Sequence, residues 1–119
     1  MKILVIGQGG REHALAWKLS QSKKSKIIFV APGNGGTSTE EKCVNVNIKA
    51  DDFPGIRKFI IEKQIDLVVI GPEDPLVNGL VNYLEDLNIL LFGQLSKFRI
   101  QIIFAYHILK DADLFEWSG

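Results

Sequence analysis

Four short apolar runs, each stopped by glycine or proline, limit what this chain can fold into. Ile3-Leu4-Val5-Ile6 runs into Gly7, and Ile27-Ile28-Phe29-Val30-Ala31 into Pro32-Gly33. The stretch from Ile65 to Ile70 runs into Gly71-Pro72, and Ile89-Leu90-Leu91-Phe92 into Gly93. Runs of this length without polar alternation fit strands buried on both faces of a parallel sheet. Segments of helical pattern lie between them. Arg11 to about Ser20 sets Ala14, Leu15, Ala16 and Leu19 among strong helix formers. Lys18, Lys23, Lys24 and Lys26 crowd its end, where cations suit the helix dipole. A second helix can be capped by Asp51 or Asp52 and carries Phe53, Ile56, Phe59 and Ile60 on one face. A third starts near Pro75, a residue that a first turn tolerates, shows a stripe of Leu76, Val77, Leu80, Val81, Leu84 and Leu87, and ends at Asn88. Cys43 to Ile48 alternates Val44, Val46 and Ile48 with polar neighbours and reads as a short strand toward a sheet edge. This alternation calls for an α/β fold, an open parallel sheet with helices on both faces.

The 119 residues, 46% of them hydrophobic, suffice for one domain with one core. A formal net charge of zero argues against nucleic acid or an anionic membrane as partner. Cys43 is the single cysteine, so no internal disulfide forms, which fits a reducing cytoplasm. The first apolar run is too short to span a membrane and carries no cleavage signal. Residues 94–119 differ from the rest: Ile100, Ile102, Ile103, Phe104, Ile108 and Leu109 recur without a clean period.

Chemistry is most concentrated in Gly7-Gln8-Gly9-Gly10-Arg11-Glu12-His13. Glycines let backbone approach an anion closely. The N–H groups of the following helix carry partial positive charge toward the loop, and Arg11 adds a fork of donors suited to phosphate. The plain alternative is a tight strand-to-helix turn without a ligand. A dinucleotide site is a poorer fit. That fingerprint needs a third glycine where Glu12 stands and an acid at the end of the second strand, where this chain has Ala31-Pro32-Gly33-Asn34. A single phosphate suits the loop better than a pyrophosphate.

Loops at 7–13, 32–36 and 71–75 follow strands, and in an open parallel sheet such loops form the ligand crevice. Arg11, Asn34 and Glu73 can therefore converge. Gly33, Gly35 and Gly36 either admit a ligand or build a turn. Glu73 and Asp74 can accept hydrogen bonds from sugar hydroxyls or an amine, or can cap the helix that follows. His13 reads as a packing or hydrogen-bonding residue and Cys43 as inert. No catalytic residue and no metal-ligand spacing is found.

Three motifs carry a family resemblance: Gly7 to Leu19, Ala31-Pro32-Gly33-Asn34-Gly35-Gly36-Thr37, and Val69 to Leu80 with Gly71-Pro72-Glu73-Asp74-Pro75 at its centre. In this order and spacing they resemble the start of the phosphoribosylamine–glycine ligases, also called glycinamide ribonucleotide synthetases, over about residues 1–93. The resemblance implies a Rossmann-like domain preceding an ATP-grasp region. It also implies an activity that joins phosphoribosylamine to glycine with ATP and Mg²⁺ or Mn²⁺, through an acyl phosphate of glycine, in purine biosynthesis. It assigns the ribose phosphate to Gly9, Gly10 and Arg11 with Pro32, Gly33, Asn34 and Gly35, and places Glu73, with Asp74 beside it, at the sugar.

After Phe92-Gly93 the family continues with proline, whereas Gln94-Leu95 stand here before Ser96-Lys97, and the pattern is lost after Phe98. The expected organisation is a substrate-binding domain over 1–93 and a divergent tail over 94–119, as a frameshifted or truncated gene would encode. Such a fragment is expected to bind phosphoribosylamine or glycinamide ribonucleotide without turnover, to bind neither ATP nor metal by itself, and to find a partner in a separate ATP-grasp part. The competing expectation is a stand-alone module that binds a phosphorylated metabolite or docks to a protein.

Overall fold

The computed structural model describes residues 1–21, 23, 25–71, 75–87 and 89–93; for Arg11, residues 75–78, 90, 92 and 93 the backbone alone is considered. The expected tail and the caps and site residues at Pro72, Glu73, Asp74 and Asn88 lie outside the described residues. Five parallel strands form one sheet in the order β3-β2-β1-β4-β5. They are β1 (Lys2–Gly7), β2 (Ile27–Pro32), β3 (Cys43–Asn45), β4 (Leu67–Ile70) and β5 (Leu90–Gly93). Helix α1 (Gly10–Ser20) joins β1 to β2, α2 (Phe53–Lys63) joins β3 to β4, and α3 (Pro75–Leu84) joins β4 to β5. No helix among the described residues is long and apolar enough to cross a membrane.

The unbroken apolar runs are explained by double coverage. Along β1, Ile3 and Val5 pack with Ala16 and Leu19 of α1, while Leu4 and Ile6 pack on the other face with Ile56 and Ile60 of α2 and Leu80, Val81 and Leu84 of α3. Successive strand residues point to opposite faces, so a strand covered on both sides has no position left for a polar residue. The chain steps from β1 outward to β2 and β3, then crosses back to place β4 on the other side of β1. Right-handed crossovers then put α1 on one face and α2 and α3 on the other.

Asp52 is the cap of α2, accepting the Gly55 N–H at 3.1 Å. Phe53 and Phe59 flank the buried stripe, and the Phe59 ring meets Phe29 edge-on at 4.9 Å. Several boundaries differ from the sequence reading. The third strand stops at Asn45: Val46 N–H makes a last bond to the Val30 carbonyl, and Ile48 N–H then turns the chain back onto the Val46 carbonyl. Ile65 closes the end of α2 by bonding to Ile60, so β4 starts at Leu67. Helix α3 ends at Leu84, and Leu87 N–H turns back onto Leu84.

Outside the core, α2 is tied to the end of α3. Arg57 grips Asp86 with two bonds of 2.7 Å and donates to the Tyr83 carbonyl at 2.9 Å. The Arg57 hydrogen bonds hold the Asp86 carboxyl below the ordinary carboxylate range. A carboxylate with a lowered folded-state value stabilises the fold above its unfolded value, about pH 3.9. That contribution is lost as pH falls through the folded value. Asp86→Asn should therefore lower the thermal midpoint slightly at neutral pH, and the gap from wild type should close in strong acid. In the core, Ile6→Ala should cost about 2–5 kcal/mol in urea unfolding, because the cavity it leaves is enclosed by strands and helices that cannot collapse onto it.

Candidate functional site

The carboxyl ends of β1, β2 and β4 gather three loops. Gly33 N–H donates to the Gly7 carbonyl at 3.0 Å, and Gly71 N–H donates to the Ile6 carbonyl at 2.9 Å. Gly7 has φ +142° and Gly33 φ +76°, conformations that a side chain would strain. Asn34 clamps the first two loops: its Nδ2 donates to the carbonyls of Gln8 at 2.8 Å and Gly9 at 3.2 Å. Its Oδ1 accepts the Thr37 N–H at 3.0 Å. Below it, the buried Thr37 hydroxyl accepts the Asn34 N–H at 2.8 Å and donates to Asn45 Oδ1 at 2.6 Å. Asn45 Nδ2 then donates to the Asn34 carbonyl at 2.8 Å.

Helix α1 starts from this clamped loop. Gly9 is its N-cap and provides no side-chain cap. The first N–H groups of a helix have no acceptor within it, and here they belong to Gly9, Gly10 and Arg11. A cavity of about 440 Å³ opens at Gly9, lined also by Gly7, Gln8, Glu12, Pro32, Lys49 and Ala50. Lys49 brings a cation from the segment after β3. Glu12 brings an anion from the first turn of α1, only 8% exposed.

The structure brings the residues expected from sequence together unevenly. Gly9 and Pro32 line the cavity. Gly10 opens α1, and a side chain there would meet nothing within 4 Å. Gly35 is equally open, whereas Gly33 is packed against Asn45 and Thr37. Asn34 shapes the glycine loop with its amide. The Arg11 backbone lies in the first turn of α1, while Glu73 and Asp74 are outside the described residues. Sequence reading passed over Lys49, which it left just beyond a strand, and treated Glu12 only as the residue missing a glycine. An acid at the third helical position was the available signal for Glu12. Lys49 had none, because its place depends on how the chain turns after β3.

The two other reactive side chains lie outside the cavity lining. His13 Nε2 stands 2.7 Å from Glu40 Oε1, tying α1 to the segment before β3. Burial, and then the Glu40 charge, push the Cys43 thiol up from its ordinary value, which leaves less thiolate at neutral pH. Among the described residues no three His, Cys, Asp or Glu side chains gather as metal ligands.

The family described as phosphoribosylglycinamide synthetase, N domain, matches residues 1–98. This chain belongs to that family. Relatives named phosphoribosylamine–glycine ligase include one from Haemophilus influenzae, 54% identical over 111 residues, 93% of this chain and 26% of the relative. One from Nostoc is 50% identical over 93 residues, 78% of this chain and 22% of the relative. One from Xanthomonas campestris is 52% identical over 97 residues, 82% and 22% respectively. The chain thus spans about a quarter of the length of the curated relatives it matches. The 111-residue match carries the likeness past Gly93, farther than the three motifs alone.

Asn34 tests the clamp. Asn34→Ala should cost about 0.5–1.5 kcal/mol, since the Thr37 N–H loses its acceptor and the exposed Gln8 and Gly9 carbonyls exchange the amide for water. Hydrogen exchange at Thr37 should speed up with it.

Proposed function

We propose that this chain is the sugar-phosphate-binding part of an ATP-dependent ligase that joins phosphoribosylamine to glycine, giving glycinamide ribonucleotide in purine biosynthesis. The observation that carries this reading is the uncapped N-terminus of α1 at a cavity lined also by the cation Lys49, in a chain of the synthetase N-domain family. The phosphate sits against the N–H groups of Gly9, Gly10 and Arg11. Lys49 neutralises it from the segment after β3, and Pro32 with Gly33 forms the floor. Asn34 holds the loop in shape, Gly35 leaves the entrance open, and Glu73 and Asp74 are assigned to the sugar. The role proposed for the chain is to hold the sugar phosphate, and ATP and Mg²⁺ belong to the ligation proposed for the longer relatives.

Calorimetric or NMR titration of the chain with glycinamide ribonucleotide tests this. Binding is expected, with amide shifts centred on Gly9 to Arg11, and no response at roughly millimolar ligand overturns the reading. Lys49→Gln should weaken binding by about 3- to 10-fold at low salt and by less at high salt, as a screened ion pair with phosphate requires. A ligase assay with a separately supplied ATP-grasp part distinguishes a ligase component from a stand-alone binding module, since only the former restores turnover.

A further inference from the structure

Glu12 is a buried carboxylate that the proposed phosphate site does not use. It lies in the crevice where the strand order reverses, between the ends of β1 and β4, the place where open α/β sheets take ligands. Its side chain packs against Gly7 and Gly71, and Oε2 lies 3.1 Å from where a Gly9 side chain would begin. Any side chain at Gly7 or Gly71 would occupy the space of the carboxylate. Glycine at these positions therefore makes room for the acid. Among the described residues, the Glu12 carboxylate has no hydrogen bond and no ion pair, although it is more than nine-tenths buried. A glutamate at the third helical position often reaches back to the cap N–H, but no such bond to Gly9 is made here. Buried carboxylates require donors, and this one faces the cavity where a ligand can bring them.

We propose that Glu12 determines which phosphates the site accepts: it accepts hydrogen bonds from the ribose hydroxyls and repels a second phosphate. The inference rests on the proposed sugar-phosphate function and adds a residue to it. The cavity then has two chemically distinct ends. Backbone N–H groups and Lys49 receive the anion, and Glu12 receives uncharged donors. A dinucleotide would have to bring its second phosphate against the Glu12 carboxylate, in the space that a glycine would otherwise leave open.

The test compares ribose 5-phosphate with inorganic phosphate, titrated into the whole chain and into Glu12→Gln. In the variant, ribose 5-phosphate should bind roughly tenfold more weakly, because a charge-assisted bond becomes a neutral one. Inorganic phosphate should bind equally well or better, because a nearby negative charge is gone. Equal weakening of both ligands, as a purely structural role predicts, overturns the proposal, and so does no change in either. If Glu12→Gln fails to fold, wild-type chain with ¹³C-labelled glutamate supplies the answer. The Glu12 carboxyl resonance should move with ribose 5-phosphate and stay in place with inorganic phosphate; an unmoved resonance in both refutes the role. The readings also fail separately. Glycinamide ribonucleotide binding with unchanged Glu12→Gln selectivity removes only this inference, whereas absence of any sugar-phosphate binding removes the proposed function and this inference with it.

Discussion

Strand β1 is hydrogen-bonded along both edges, to β2 and β4, and covered on both faces by helices, so four of its residues are wholly removed from water. Every other element is placed relative to this strand. It splits the core into two clusters, one against α1 and one against α2 and α3, and its side chains belong alternately to each. It also fixes the site. A strand paired on both sides cannot slide, so its last residue, Gly7, is held at one position where the chain can leave the sheet and start α1.

From that point the architecture becomes electrostatic. The loop after β1 must stay open, with helix N–H groups unpaired, and an open loop has no reason to hold its shape. Asn34 supplies the restraint from the neighbouring loop, using backbone carbonyls and leaving the N–H groups free. The Thr37 and Asn45 pair beneath it satisfies the polar groups that this arrangement buries. The shape of the glycine loop thus depends on a polar network in the neighbouring loop.

Much of the fold was legible because its signals are local. Buried parallel strands show as unbroken apolar runs, α2 shows its cap at Asp52 and its stripe at Ile56 and Ile60, and the three glycine-containing loops stand where the strands end. The misjudged strand ends share one cause: Ile48 and Ile65 are apolar because they pack against the core, not because they pair in a sheet, and residue type does not separate these two kinds of burial. Among the candidate residues, Gly9 stands out in the sequence from glycine-loop chemistry and Pro32 from the family resemblance, whereas the contacts by which Asn34 holds the loop are invisible in a linear sequence.

What the sequence determined by itself was the α/β class, the family and the presence of a glycine loop before α1. Each rests on neighbours along the chain: apolar runs, helix periodicity, glycines at fixed spacing. The tertiary structure decided how charge is distributed around that loop. Lys49 reaches the cavity only because the chain turns after β3, and Glu12 is buried only because Gly7 and Gly71, far apart in sequence, meet at the point where the strand order reverses. Burial and electrostatic opposition are set by distances through space, and those distances exist only once the strands have paired.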